Sequence, residues 1–133
     1  MADAGFATET MQVDIADRSS VEALVKKATA MGDVARVILA AGLSPSQASP
    51  EKILAVDLYG SALVLELFGE VITEGGSGIV IASQSGYRLP ALTPDEDRIL
   101  ALTPTEGLCC KDRPRASEIR RFLAIRRSRP SVG

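Results

Sequence analysis

The stretch Gly75-Gly76-Ser77-Gly78-Ile79-Val80-Ile81-Ala82-Ser83-Gln84-Ser85-Gly86 decides the fold of this 133-residue chain. Its apolar run, Ile79 to Ala82, is too short for a helix, is rich in β-branched residues and is bounded by glycine, so it reads as a buried strand. Ser83 and Ser85 follow at its end. In an open α/β sheet ligands settle in the crevice beyond the carboxyl ends of the strands, which makes a hydroxyl delivered there a candidate for chemistry. The alternative is that both serines only satisfy the turn by bonding nearby backbone groups.

Upstream, Ser49-Pro50-Glu51 has the cap, first-turn proline and acidic residue of a helix start. The helix is expected to run to about Thr73, and it is apolar nearly all round: Ile53, Leu54, Val56, Leu58, Leu63, Val64, Leu65, Leu67, Phe68, Val71 and Ile72. Such a helix needs cover on two sides, and a second copy of the chain is an economical second cover. Asp57 falls inside it. A carboxylate there either reaches a partner or points into a polar site.

Further upstream, Val34 to Ala41 is an almost continuous apolar run, the pattern of a parallel strand buried on both faces. It closes on Ala40-Ala41-Gly42, whose small side chains either admit a flat ligand to the backbone or form a plain turn. Before it, Val21, Leu24, Val25, Ala28 and Met31 repeat at helical intervals, with Ser19 and Glu22 at capping-box spacing and Gly32 as the stop. Thr10 to Ile15 reads as one more strand, with Asp14 at its carboxyl end. Residues 1–5 have the composition of a helix end. Strand, helix and strand within about thirty residues make a βαβ unit.

Downstream, Ala91-Leu-Thr-Pro-Asp-Glu and Ala101-Leu-Thr-Pro-Thr-Glu each place a threonine before proline and a glutamate three residues after the threonine. Two short helices, 94–102 and a stub from 104, are expected. Residues 115–127 could form a basic helix ended by Pro130.

Composition, 46% hydrophobic and 24% charged, is ordinary for a globular chain with a core. The first 110 residues hold 7 of the 15 Lys+Arg and 15 of the 17 Asp+Glu, a net charge of −8, whereas the rest carries +6. The basic stretch could meet nucleic acid or an anionic membrane. A single aromatic residue in it and the acidic body argue against nucleic acid. No run approaches a membrane span and the amino terminus has no signal-peptide pattern, so the expected compartment is the cytoplasm. Cys109 and Cys110 are adjacent and histidine is absent, so neither a disulfide framework nor the common zinc spacings can be written.

Four of these stretches occur together in the order and spacing of a known family. Asp14-Ile15 after a strand, Ala40-Ala41-Gly42 after the next, Val56-Asp57-Leu58-Tyr59-Gly60 in the long helix and Gly78 to Gly86 resemble the short-chain dehydrogenases/reductases. The resemblance covers roughly residues 1–108. It implies a partial Rossmann-like, doubly wound parallel sheet of about three strands with flanking helices, forming a partial dinucleotide-binding domain over residues 1–108, with residues 109–133 as a basic tail. It implies NAD or NADP as cofactor, and hydride transfer between nicotinamide and a carbonyl or alcohol substrate.

By that resemblance Asp14 and Ile15 lie beside the adenine, and Ala40, Ala41 and Gly42 line the nucleotide site. Ser83 matches the catalytic serine that bonds the substrate oxygen. Asp57 stands where the family places an asparagine that helps hold a proton-relay water. Leu39 and Ala40 replace two asparagines of the family pattern. Neither the family's glycine-rich turn nor its Tyr-x-x-x-Lys motif occurs in this sequence, since Tyr59 and Tyr87 are followed four residues later by Leu63 and Ala91. The chain therefore reads as the truncated central segment of such an oxidoreductase, catalytically incomplete as it stands. The alternative is a non-catalytic interaction protein that uses helix 50–73 as a homo-oligomer surface.

Overall fold

The computed structural model describes residues 5, 7–84 and 91–109. The basic helix expected at 115–127, Ser85, Cys110 and most of the helix end expected at 1–5 lie outside the described residues.

Helix α1 spans Arg18–Met31, and its cap is Asp17 rather than Ser19. The Asp17 carboxylate accepts both the Ser19 N–H and the Ser19 hydroxyl, so Ser19 is spent inside the first turn. Gly32 ends the helix at φ +139, a conformation that costs other residues more. Two residues later the chain enters β1, Val34–Leu39.

The long helix begins as expected. Ser49 accepts the Lys52 N–H, Pro50 opens the first turn and Glu51 sits in it, giving α2, Pro50–Ile53. The helix then widens into a π-helical segment, Leu54–Gly60, and tightens again into α3, Ser61–Gly69. It stops four residues short of the expected Thr73. Ile72 and Thr73 are β-branched, and they join strand β2, Ile72–Val80.

β1 and β2 pair in parallel, Arg36 opposite Ser77 through Leu39 opposite Val80. The Ile81 N–H extends the pairing by donating to the Leu39 carbonyl at 2.8 Å. The register slips between Val34, opposite Ile72, and Arg36, opposite Ser77. The surplus of β2 is taken up around Gly75, at φ +75, and Gly76, where a Cβ would stand 3.0 Å from the Ala35 carbonyl oxygen. Glycines that read as punctuation before a strand at Ile79 thus lie within a longer one.

The described residues form a parallel sheet of two strands with flanking helices, consistent with part of a Rossmann-like α/β fold. The third expected strand is absent from the sheet. Thr10 to Ile15 runs without a ladder; Lys27 Nζ of α1 donates to the Thr10 carbonyl at 3.0 Å, and Val13 and Ile15 pack on the core. Its β-branched residues are satisfied by packing, which is what strand propensity largely measures.

The core is Val21, Leu39, Tyr59, Leu63, Val64, Phe68 and Leu108, with Leu63 and Val21 fully buried. It lies on one side of the sheet. Ile38, Ile79 and Ile81 are 66%, 52% and 63% exposed, so the run expected to be buried on both faces is covered on one. α3 packs on β1, and α1 packs on α3.

Helix α4, Pro94–Leu102, has the expected capping box between Thr93 and Glu96. α5, Thr105–Leu108, is the expected stub, but it starts differently. Thr103 turns its hydroxyl back onto the Ile99 carbonyl and so does not cap. Among the described residues no helix is long and apolar enough to cross a membrane.

Candidate functional site

Parallel pairing sends both strands out of the sheet at the same edge. Ala40, Ala41 and Gly42 follow β1 there, all exposed, and Ser83 follows β2 two residues past Ile81, also exposed. The pairing ends with Ile81 on Leu39, three residues before Gly42 and two before Ser83.

Asp57 meets this edge from the π-helical segment. Its Oδ1 accepts the Leu43 N–H at 2.8 Å, and it lies 3.5 Å from where a Gly42 Cβ would be. The carboxylate is exposed, not buried in apolar surroundings. Of the two roles open to it in the sequence, it takes a partner, and that partner is backbone.

Asp14 and Ile15 reach the same segment at a different point. The Asp14 carboxylate accepts the Ala16 N–H at 2.9 Å and its own N–H donates to Ser20 Oγ at 3.0 Å, which folds Asp14 into the turn before α1. Ile15 lies against Gly60. The π-helical segment therefore touches the β1 exit loop through Asp57 and the Asp14-Ile15 turn through Gly60, three residues on. A widened helical turn at such a junction is a recurrent feature of functional sites.

Ala40 to Gly42 carry small side chains or none and are exposed. The neighbouring Asp57 carboxylate disfavours a phosphate at that spot. Among the described residues no group of three or more acidic or sulfur ligands is placed to hold a metal ion.

Sequence reading missed a second cluster. Arg18 Nε donates to Glu106 Oε1 at 2.6 Å and Arg18 Nη2 to Glu66 Oε1 at 2.8 Å, with Glu22 at 3.8 Å, tying α1, α3 and α5 together. These two carboxylates hold the guanidinium pKa above its ordinary value. The Thr105 hydroxyl, then Arg18, hold Glu66 below the ordinary carboxylate range. Burial, then the charge of Glu106, push the Tyr59 phenol up. The pairing spans 88 residues, and no local spacing announces it.

Over 90 residues, 68% of its length, the chain is 39% identical to the short-chain dehydrogenase/reductase bsc3 of Alternaria brassicicola. The chain resembles a short-chain dehydrogenase/reductase. It spans 33% of that relative's length. No protein-family profile matches the chain. No solved structure matches it either. The resemblance and the partial Rossmann-like sheet together support an oxidoreductase-like origin.

Proposed function

We propose that residues 1–108 are a nucleotide-binding domain of the short-chain dehydrogenase/reductase type and that residues 109–133 are a basic tail. Leu108 is the last buried core residue among the described residues, and Cys109 packs against that core. Ala40, Ala41 and Gly42 line the ring of NAD or NADP, and Asp14 and Ile15 flank its adenine. Ser83 donates to the oxygen of a carbonyl or alcohol substrate. Asp57 holds the loop that carries Gly42 and Leu43, and can hold water with its remaining lone pairs.

The observation that carries this reading is the parallel pairing that brings Ala40 to Gly42 and Ser83 out at one edge, in a chain similar over 90 residues to a short-chain dehydrogenase/reductase. Bound nicotinamide would supply or accept the hydride. The sequence lacks the Tyr-x-x-x-Lys motif that supplies the proton partner in that family, so nucleotide binding is the activity proposed. Residues 1–133 should quench and shift NADH or NADPH fluorescence saturably, and Gly42→Glu, which adds charge and bulk beside Asp57, should abolish it. Absence of saturable binding to the folded wild type refutes the reading.

The second reading, a non-catalytic interaction protein, is favoured by the uncovered apolar face at Ile38, Ile79 and Ile81. Monomeric parallel sheets rarely leave a face bare.

A further inference from the structure

The segment that leads into α1 touches the rest of the molecule at few points before Val13. Among the described residues, Thr8 to Gln12 enter no ladder, and their polar ties run to a single side chain of α1. The Lys27 ammonium donates to the Thr10 carbonyl at 3.0 Å and to Glu9 Oε2 at 3.2 Å. The remaining tie is apolar. Met11 lines a groove of about 200 Å³ together with Leu24, Ala28 and Met31 of α1. Leu24 and Ala28 also pack on the core, whereas Met11 and Met31 are 40% and 59% exposed. Two thioethers open to solvent thus share one apolar contact.

We infer that Met11 and Met31 are a peroxide-sensitive catch that holds residues 8–12 against α1. In the oxidation a sulfur lone pair attacks one oxygen of hydrogen peroxide, and the O–O bond breaks as an S–O bond forms. The departing hydroxide takes the proton left on the transferred oxygen and becomes water. Sulfur gives up two electrons, peroxide accepts them, and a flexible apolar side chain becomes a polar sulfoxide. Sulfoxides disrupt contacts between apolar side chains, so the groove releases Met11. Lys27 then holds the segment through exposed polar contacts alone, and its ion pair with Glu9 is weak for that reason. Release stops at Val13 and Ile15, which pack on the core. The inference is independent of nucleotide binding.

The test treats the full chain with hydrogen peroxide and locates the sulfoxides by peptide mass spectrometry. It then follows cleavage within residues 8–12 by a non-specific protease and acylation of the Lys27 amine. Oxidation at Met11 and Met31 should speed both about tenfold, with far-UV circular dichroism retained, and methionine sulfoxide reductase should reverse both. The double variant Met11→Leu with Met31→Leu keeps the apolar contact and retains Met1, Cys109 and Cys110. It should show neither change under the same treatment. A wild type oxidised at both methionines whose cleavage and acylation keep their untreated rates overturns the inference. So does a double variant that responds as wild type does, and so does a Met11 that stays reduced under peroxide that oxidises free methionine.

Discussion

The position a Cβ would take on Gly60 lies 2.9 Å from both the carbonyl oxygen and the Cγ1 of Ile15. Only glycine allows the π-helical segment to lie this close to the turn that carries Asp14. Gly60→Ala must push backbone apart, and should cost about 1–3 kcal/mol in urea unfolding. Gly69, where an added Cβ meets nothing within 4 Å, is the control. Gly69→Ala should be neutral or stabilise by up to about 1 kcal/mol.

Asp57 supplies an acceptor to Leu43 across 14 residues. Asp57→Ala should accelerate hydrogen exchange at the Leu43 amide and cost about 0.5–1.5 kcal/mol. Asp57→Asn keeps a carbonyl oxygen and should restore most of the protection. Equal exchange in both variants would show that the carboxylate does not hold the loop.

Burial separates Ile38 of the sheet from Leu63 of the helix. Leu63→Ala, at a fully buried position, should cost about 2–5 kcal/mol. Ile38→Ala, at 66% exposure, should lie within about 0.5 kcal/mol of wild type and lower the binding of a hydrophobic dye.

Glu66 sets an acid limit. Its folded pKa lies below the ordinary 4.5 because Thr105 and Arg18 favour the carboxylate. The stability it contributes is therefore present above about pH 4.5 and is lost as pH falls toward the folded value. Glu66→Gln should lower the thermal midpoint near neutral pH and flatten its decline on acidification.

Tyr59 sets an alkaline limit by the opposite sign. Its pKa is raised above 10, chiefly by burial, so the folded state keeps a proton that the unfolded state releases. Stability contributed this way holds below pH 10 and declines above it. Absorbance near the phenolate band should show one tyrosine titrating late, and Tyr59→Phe should remove that phase.

The local signals in the sequence were reliable where the cause was local. The Ser49-Pro50-Glu51 start and the Thr93–Glu96 capping box stand as read, since each depends on residues within one turn. Ser19 failed as a cap because Asp17, two residues earlier, offers a carboxylate to the same hydroxyl. Thr103 failed because its hydroxyl found the Ile99 carbonyl first.

Boundaries set by pairing were less legible. β2 begins at Ile72 rather than Ile79 because a bulge at Gly75 and Gly76 lets the ladder resume on the far side. Thr10 to Ile15 has the residues of a strand and no ladder, since α1 and the core satisfy it instead. At the candidate site, the meeting of Asp57 with Leu43 depends on a π-helical turn that no periodicity marks. The Arg18–Glu66–Glu106 cluster joins three helices far apart in sequence and was invisible for the same reason.

The parallel ladder has a consequence for how the chain is made. Leu39 finds its neighbour Val80 only after the whole helical crossover has left the ribosome. At roughly 5–20 residues per second, β1 waits on the order of 2–8 s for its partner. Throughout that interval Val34 to Leu39 is a nascent apolar segment with an open backbone, a ready client for a holding chaperone.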